Sequence, residues 1–244
     1  MRRLILVRHG ESIWNAERRI QGQACAGLSA RGHAQADAVA VSLAAAYPDA
    51  HLVASDLQRT RETVAPLEVA LERRAVLDPR LRERSFGDWE RRLRDEVAAT
   101  DPERWQRWLR GEDVVGEVGG ESADALADRV APVLVELLAA TPAGGTTIAV
   151  THGGPVWNGI HRLAGIAAGT LGGVDNASCH HLVTFADDGS QVIVDRWNEV
   201  GHLPADLHSG WAPSASETGV ASSSSAASAA ASASAASDGP PGGR

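Results

Sequence analysis

Two short stretches place a histidine where a buried strand stops. Leu4-Ile5-Leu6-Val7 runs into Arg8-His9-Gly10-Glu11-Ser12, and Thr147-Ile148-Ala149-Val150 runs into Thr151-His152-Gly153-Gly154. Each apolar run has the length of a fully buried strand. Ligands of open α/β sheets bind beyond the carboxyl ends of the strands, so two imidazoles are expected together at one sheet edge. A third run, His51-Leu52-Val53-Ala54, leads through Ser55 to Arg59 and Arg61. A guanidinium can donate two parallel hydrogen bonds to phosphate oxygens. Arg8 and Arg59 with His9 and His152 would therefore make a compact pocket for a tetrahedral dianion. An arginine at a helix start faces the positive end of the helix dipole, which favours an anion beside Arg59.

The elements that must hold these residues can be read from apolar spacing. Residues 181–185 and 191–194 add two more strand-length runs, separated by a short loop that reads as a hairpin at one sheet edge. Leu126, Val130, Val133, Leu134, Leu137 and Leu138 share one helical face, which predicts a helix over residues 122–140 packed on the sheet. An Ala-rich helix is expected over residues 32–47. Ser55-Asp56-Leu57-Gln58 has the form of a capping box opening a helix directly after the second strand. Strand-helix alternation of this kind predicts an α/β three-layer sandwich: a mainly parallel, mixed sheet with helices on both faces.

Composition bounds the alternatives. The 244 residues are 43% apolar, ample for a core, and the net charge of −8 with a pI near 5.6 argues against nucleic acid or an anionic membrane as partner. Positive charge for an anionic substrate must then be local. Cys25 and Cys179 are far apart and indicate neither a disulfide framework nor a cysteine metal site. The His180-His181 pair has no carboxylate or cysteine at ligand spacing, so no zinc site is expected. Met1-Arg2-Arg3 and the next four apolar residues are too short for a signal peptide. No run approaches the roughly 18 apolar residues that span a bilayer. A cytoplasmic protein is expected. Residues 1–211 read as one domain, and residues 212–244, almost wholly Ala and Ser, as a disordered tail.

Taken together, the motifs resemble the histidine phosphatase superfamily, the phosphoglycerate mutase-like proteins. The residues that carry this are Leu6-Val7-Arg8-His9-Gly10-Glu11-Ser12 with Trp14-Asn15, Gln21-Gly22-Gln23, Ser55 to Thr63, Leu81-Arg82-Glu83, Phe86-Gly87-Asp88-Trp89-Glu90, Gly119-Gly120-Glu121-Ser122 and Val150-Thr151-His152-Gly153-Gly154. The resemblance spans about residues 3 to 203. It implies that His9 attacks phosphorus to form a phosphohistidine, splitting one hard step into two. It implies that Arg8, Arg59, His152 and Asn15 hold the phosphoryl oxygens, with Gln21, Gly22 and the Gly153 amide as further contacts. Glu83 matches the family's acid/base. No metal or other cofactor is called for, the partner is a small phosphorylated substrate, and a homodimer is compatible with the family.

The branch is decided between Glu83 and His152. A cofactor-dependent mutase is expected to carry a long insertion there, with a Tyr-Gly and an arginine pair for the substrate carboxylate. This chain has a short segment with Trp105 and Trp108 instead, and Arg91-Arg92 follows Trp89 too soon. Hydrolysis is therefore expected over mutation, and over a non-catalytic phospho-ligand sensor, which would have lost His9 or Glu83. Trp105 and Trp108, three residues apart, could form part of a lid or staple a helix to the core, and stapling is the expected role for tryptophan. Gln23-Ala24-Cys25-Ala26 and Arg91 depart from the family pattern at the substrate mouth. The overall look is similar to the actinobacterial glucosyl-3-phosphoglycerate phosphatases and to the α-ribazole phosphatases.

Overall fold

In the computed structural model, residues 1–24, 26–167 and 170–209 are described. Cys25 and the Ala/Ser-rich segment 212–244 lie outside the described residues. The chain runs β1 (Arg2–Arg8), α1 (Ile13–Ala16), α2 (Ala30–Ala46), β2 (His51–Ala54), α3 (Gln58–Leu71), β3 (Val76–Leu77), α4 (Arg94–Thr100), α5 (Pro102–Leu109), α6 (Ala123–Ala140), β4 (Thr146–Thr151), α7 (Gly153–Ala164), β5 (Cys179–Thr184) and β6 (Ile193–Glu199). The six-stranded sheet has the order β3-β2-β4-β1-β5-β6. β1, β2, β3 and β4 pair in parallel, while β5 and β6 run antiparallel at one edge, which gives the mixed sheet and hairpin expected.

Period-two alternation splits each central strand between two apolar layers. Leu4, Leu6 and Ala149 pack with Leu126, Val130, Leu134 and Leu138 of α6 and Val156 and Ile160 of α7. Ile5, Val7, Ile148 and Val150 pack on the opposite face with Val39 and Leu43 of α2 and Val64 and Leu67 of α3. The sheet is thus covered on both faces, the three-layer α/β sandwich. A third core lies outside the sheet, where Trp89, Trp105 and Trp108 stack with Phe86, Val97 and Val115. Ring centroids of Trp105 and Trp108 are 4.7 Å apart and those of Trp89 and Trp108 5.8 Å apart. Aromatic pairs of this kind contribute about 0.5–1.5 kcal/mol each beyond their buried area. Both tryptophans of α5 are stapling residues, as expected.

Four local readings need correction. The capping box at Ser55 does not form: Leu57 is the residue that precedes α3 and it offers no side-chain cap. Ser55 lies two positions too early, its hydroxyl is 3.4 Å from Leu57 N, and it is held instead by a histidine of the site described below. α2 starts at Ala30 rather than at residue 32, capped by Ser29, whose hydroxyl accepts from Gly32 N. β6 occupies Ile193–Glu199 rather than residues 191–194, because Gln191 has φ of 55° and belongs to the turn. An edge strand packs on one side only, so its polar continuation hides it from an apolar-run reading. β5 ends at Thr184, leaving Phe185 69% exposed beyond it.

Candidate active site

The parallel pairing of β1 with β4 sets Arg8 opposite Thr151, so the next residue of each strand is a histidine. His9 N donates to Thr151 O at 2.9 Å, and the two imidazoles meet edge to face with centroids 5.2 Å apart. Both rings are buried. The site is therefore a consequence of strand register: a slip of one residue would send one ring to the wrong face.

Hydrogen bonds fix the tautomers. His9 Nδ1 lies 2.7 Å from Gly10 O, and a carbonyl only accepts, so Nδ1 carries the proton and Nε2 presents a lone pair. Arg59 Nε donates to that Nε2 at 3.2 Å and to His152 Nδ1 at 3.1 Å. His152 is thereby protonated on Nε2, which donates to Ser55 Oγ at 2.9 Å. Burial, followed by the charges of Arg59 and Arg8, holds His9 well below the usual imidazole range, outweighing the Gly10 contact. His152 is lowered for the same reasons, burial first and then Arg59. Both rings are neutral bases at neutral pH, which an attacking nitrogen requires.

Arg59 leaves the first turn of α3 and is 1% exposed. Its Nη2 donates to Gly22 O at 2.9 Å and its Nη1 to Ala24 O at 3.3 Å, so the loop after Gln21 aims the guanidinium. Arg8 is anchored by a bond from Nη1 to Val174 O. Asn15 and Gln21 line the same cleft, and each has its side-chain oxygen taken: Asn15 Oδ1 accepts from Ser12 N at 3.2 Å, and Gln21 Oε1 from Ser12 Oγ at 2.7 Å. Their amide NH2 groups remain as donors. Gly22 and Gly153 also border the cleft. All nine residues expected at the site line one cleft or, for His152, the wall directly behind it.

Glu83 sits across the cleft, after the short 3-10 turn Pro79–Leu81. Its Oε2 accepts from Gly154 N at 3.0 Å, and its Oε1 from Arg84 N at 3.0 Å. The neighbouring arginines do not claim it. Arg80 pairs with Asp78 and Glu136, Arg82 with Asp56, and Arg84 with Asp113. A Cβ on Gly154 would lie 2.1 Å from Glu83 Oε1, so glycine is what lets the carboxylate approach the start of α7. Sequence reasoning did not single out Gly154, nor Asn176, whose Nδ2 donates to His9 O at 3.2 Å. The Gly-Gly pair was a signal for the first. The second sits in an irregular loop before β5 and carries no local pattern. Beyond the polar end, the cleft is walled by Ile20, Phe86, Trp108, Trp157 and Val174. Among the described residues, no three His, Cys, Asp or Glu side chains gather closely enough to hold a metal ion, and no helix is long and apolar enough to cross a membrane.

His180 adds a third buried neutral imidazole, in β5, accepting from Asn198 N at 3.2 Å and donating to Ser178 Oγ at 2.9 Å. Burial pushes it down to about 3. The unfolded chain binds a proton on each of the three below about pH 6.5 while the folded chain does not, so stability is complete above that pH and is lost as pH falls toward the folded values. The expected loss between pH 7.5 and 5.5 is about 4 kcal/mol in all, roughly 1.4 kcal/mol for each of these three histidines. Urea unfolding midpoints at pH 7.5, 6 and 5.5 check this, and a midpoint unchanged across that window would contradict the neutral assignment.

Comparison with known proteins places the chain in a family. The family model of the histidine phosphatase superfamily (branch 1) matches residues 4–199. Phosphoglycerate mutase-like protein 4 of Arabidopsis thaliana is 33% identical over 202 residues, 82% of this chain and 86% of that protein. Probable phosphoglycerate mutase GpmB of Enterobacter sp. (strain 638) is 41% identical over 154 residues, 63% of this chain and 70% of that one. The structure of mycobacterial glucosyl-3-phosphoglycerate phosphatase complexed with VO3 superposes with a TM-score of 0.72 at 31% identity, over 81% of this chain and 99% of that one. With two strand-end histidines, an arginine between them and a family match across the sheet that carries them, the chain belongs to the histidine phosphatase superfamily.

Proposed function

We propose that the protein is a phosphomonoester hydrolase that works through a phosphohistidine at His9 on a small phosphorylated metabolite. The observation that carries this reading is the His9 tautomer: Nδ1–H is tied to Gly10 O, and Nε2 turns its lone pair to Arg59. In the first step Nε2 gives up the hydrogen bond from Arg59 Nε and forms the N–P bond while the ester P–O bond breaks, and Glu83 gives its proton to the departing alkoxide. In the second, Glu83 takes a proton from water, whose oxygen forms the new P–O bond. The N–P bond breaks, releasing orthophosphate and neutral His9. Arg8, Arg59 and the amides of Asn15 and Gln21 stabilise charge on the equatorial oxygens, donors commonly worth about 3–4 kcal/mol each. His152 Nδ1 holds a lone pair in the described geometry. Gripping a phosphoryl oxygen therefore places a proton on that nitrogen, supplied by the phosphate monoanion or by solvent.

Hydrolysis is favoured over mutation by the segment between Glu83 and His152. It folds into α4, α5 and α6, with the tryptophan core, and has no long insertion bearing an arginine pair. A sugar phosphate or a phosphoglycerate derivative is the proposed substrate class, and the likeness to the mycobacterial glucosyl-3-phosphoglycerate phosphatase supports the latter. A screen of phosphate esters for kcat/KM, with and without bisphosphoglycerate, tests the reading. Orthophosphate release independent of bisphosphoglycerate is the expected result. Interconversion of 2- and 3-phosphoglycerate only in its presence would replace it with the mutase.

A further inference from the structure

The segment Phe86-Gly87-Asp88-Trp89-Glu90 has no place in the chemistry above, yet two of the three hydrogen bonds that its last residue accepts tie it to the site. Glu90 Oε1 accepts from Phe86 N at 2.9 Å and from Gln23 N at 3.1 Å, and Oε2 accepts from Ala24 N at 3.1 Å. Two of these donors belong to the loop whose carbonyls hold the guanidinium of Arg59. On the other side, Glu90 is anchored by the aromatic core: Trp89, 1% exposed, ends a 3-10 turn begun by Gly87. Gly87 has φ of 54°, and a Cβ there would lie 1.9 Å from Val118 O. Backbone bonds between Ile20 and residues 91 and 92 tie the start of the same loop. They stop short of the two carbonyls that touch Arg59.

We infer that Glu90 is a positioning residue for the phosphate site: its carboxylate clamps the 22–24 loop so that Gly22 O and Ala24 O aim the Arg59 guanidinium between His9 and His152. A carboxylate suits this task because it is acceptor-only and meets three backbone N–H groups at once. Glutamine in its place turns an NH2 toward at least one of those donors. Gly22 fits the same account. Its φ is 55°, and a Cβ there would lie 2.1 Å from Glu90 Oε1, so glycine allows the loop and the carboxylate to meet. The inference rests on the phosphatase reading for its kinetic consequences but not for its binding consequence.

Glu90→Gln and Gly22→Ala approach the clamp from opposite sides. Calorimetry with inorganic phosphate on the full chain should show binding weakened roughly 10- to 100-fold in either variant, the scale expected when a positioned group moves by about an ångström. In kcat/KM for p-nitrophenyl phosphate, the acid limb should move to higher pH, because retreat of the Arg59 charge lets His9 bind its proton more readily. A general loss of packing would lower the melting temperature without moving that limb. In an Arg59→Lys background, Glu90→Gln should add little, since residues acting through one another are not additive. Wild-type phosphate affinity in both folded variants, or losses that multiply fully in the Arg59→Lys background, would overturn the inference. If the wild type hydrolyses no ester, the phosphatase reading fails while the phosphate calorimetry still decides the role of Glu90.

Discussion

Replacement of His9 by alanine should abolish turnover and the covalent intermediate together. The expected fall in kcat is on the order of 10⁴-fold or more, because the nucleophile splits the reaction and, among the described residues, no second group is placed to substitute. The other imidazole faces the site through Nδ1 but is held at Nε2 by Ser55, and it stands in contact with Arg59 from the far side. Rapid quench with a ³²P-labelled ester should capture an acid-labile phosphoenzyme in the wild type and none in His9→Ala. Turnover should be unaffected by EDTA. Activity surviving in His9→Ala, or vanishing with EDTA, would mean that another group or a metal carries the phosphoryl transfer.

The second large effect concerns the proton, and it should depend on the leaving group. Glu83→Gln keeps the shape of the side chain but cannot donate a proton, and general acids are commonly worth 10²- to 10⁴-fold, roughly. An alkyl phosphate releases a strongly basic alkoxide and should suffer the whole loss. A nitrophenyl phosphate releases a stable anion and should form the phosphoenzyme nearly as fast as before, with only the hydrolysis step slowed. Gly154→Ala should show the same selectivity in milder form, because its methyl would displace the Glu83 carboxylate while sparing His9 and Arg59. Burst kinetics with the two ester classes separate the steps. Equal losses for both classes would assign Glu83 a binding role rather than proton transfer.

Much of this arrangement was readable before any coordinates. The strands bearing His9 and His152 were legible because each is a buried apolar run that stops abruptly at a polar residue. Their parallel alternation with helices placed both endings on one side. α6 was legible from its leucine and valine spacing. What escaped had no local pattern to show. β3 is two residues long and exposed, β6 is held mainly by its partner β5, and the Ser55 hydroxyl could have capped α3 but is taken by His152 from far along the chain. Glu83 was legible through its motif, whereas its partner Gly154 N and the pairing of Arg80, Arg82 and Arg84 with other carboxylates are tertiary facts. The chain's negative charge correctly required the positive field to be local: Arg8 and Arg59 supply it, both buried.

The pairing of β1 with β4 has a further consequence, in time rather than in space. The two strands are far apart in the chain, and every element from α1 to α6 lies in the loop that their pairing closes. Long-range parallel pairing is entropically slow to establish. During synthesis, the amino-terminal Arg8-His9 must wait for β4, the fourth of six strands, to emerge before it meets its counterpart. No half-formed chain can grip an anion there, so the return of phosphate binding during refolding marks the closing of the central sheet.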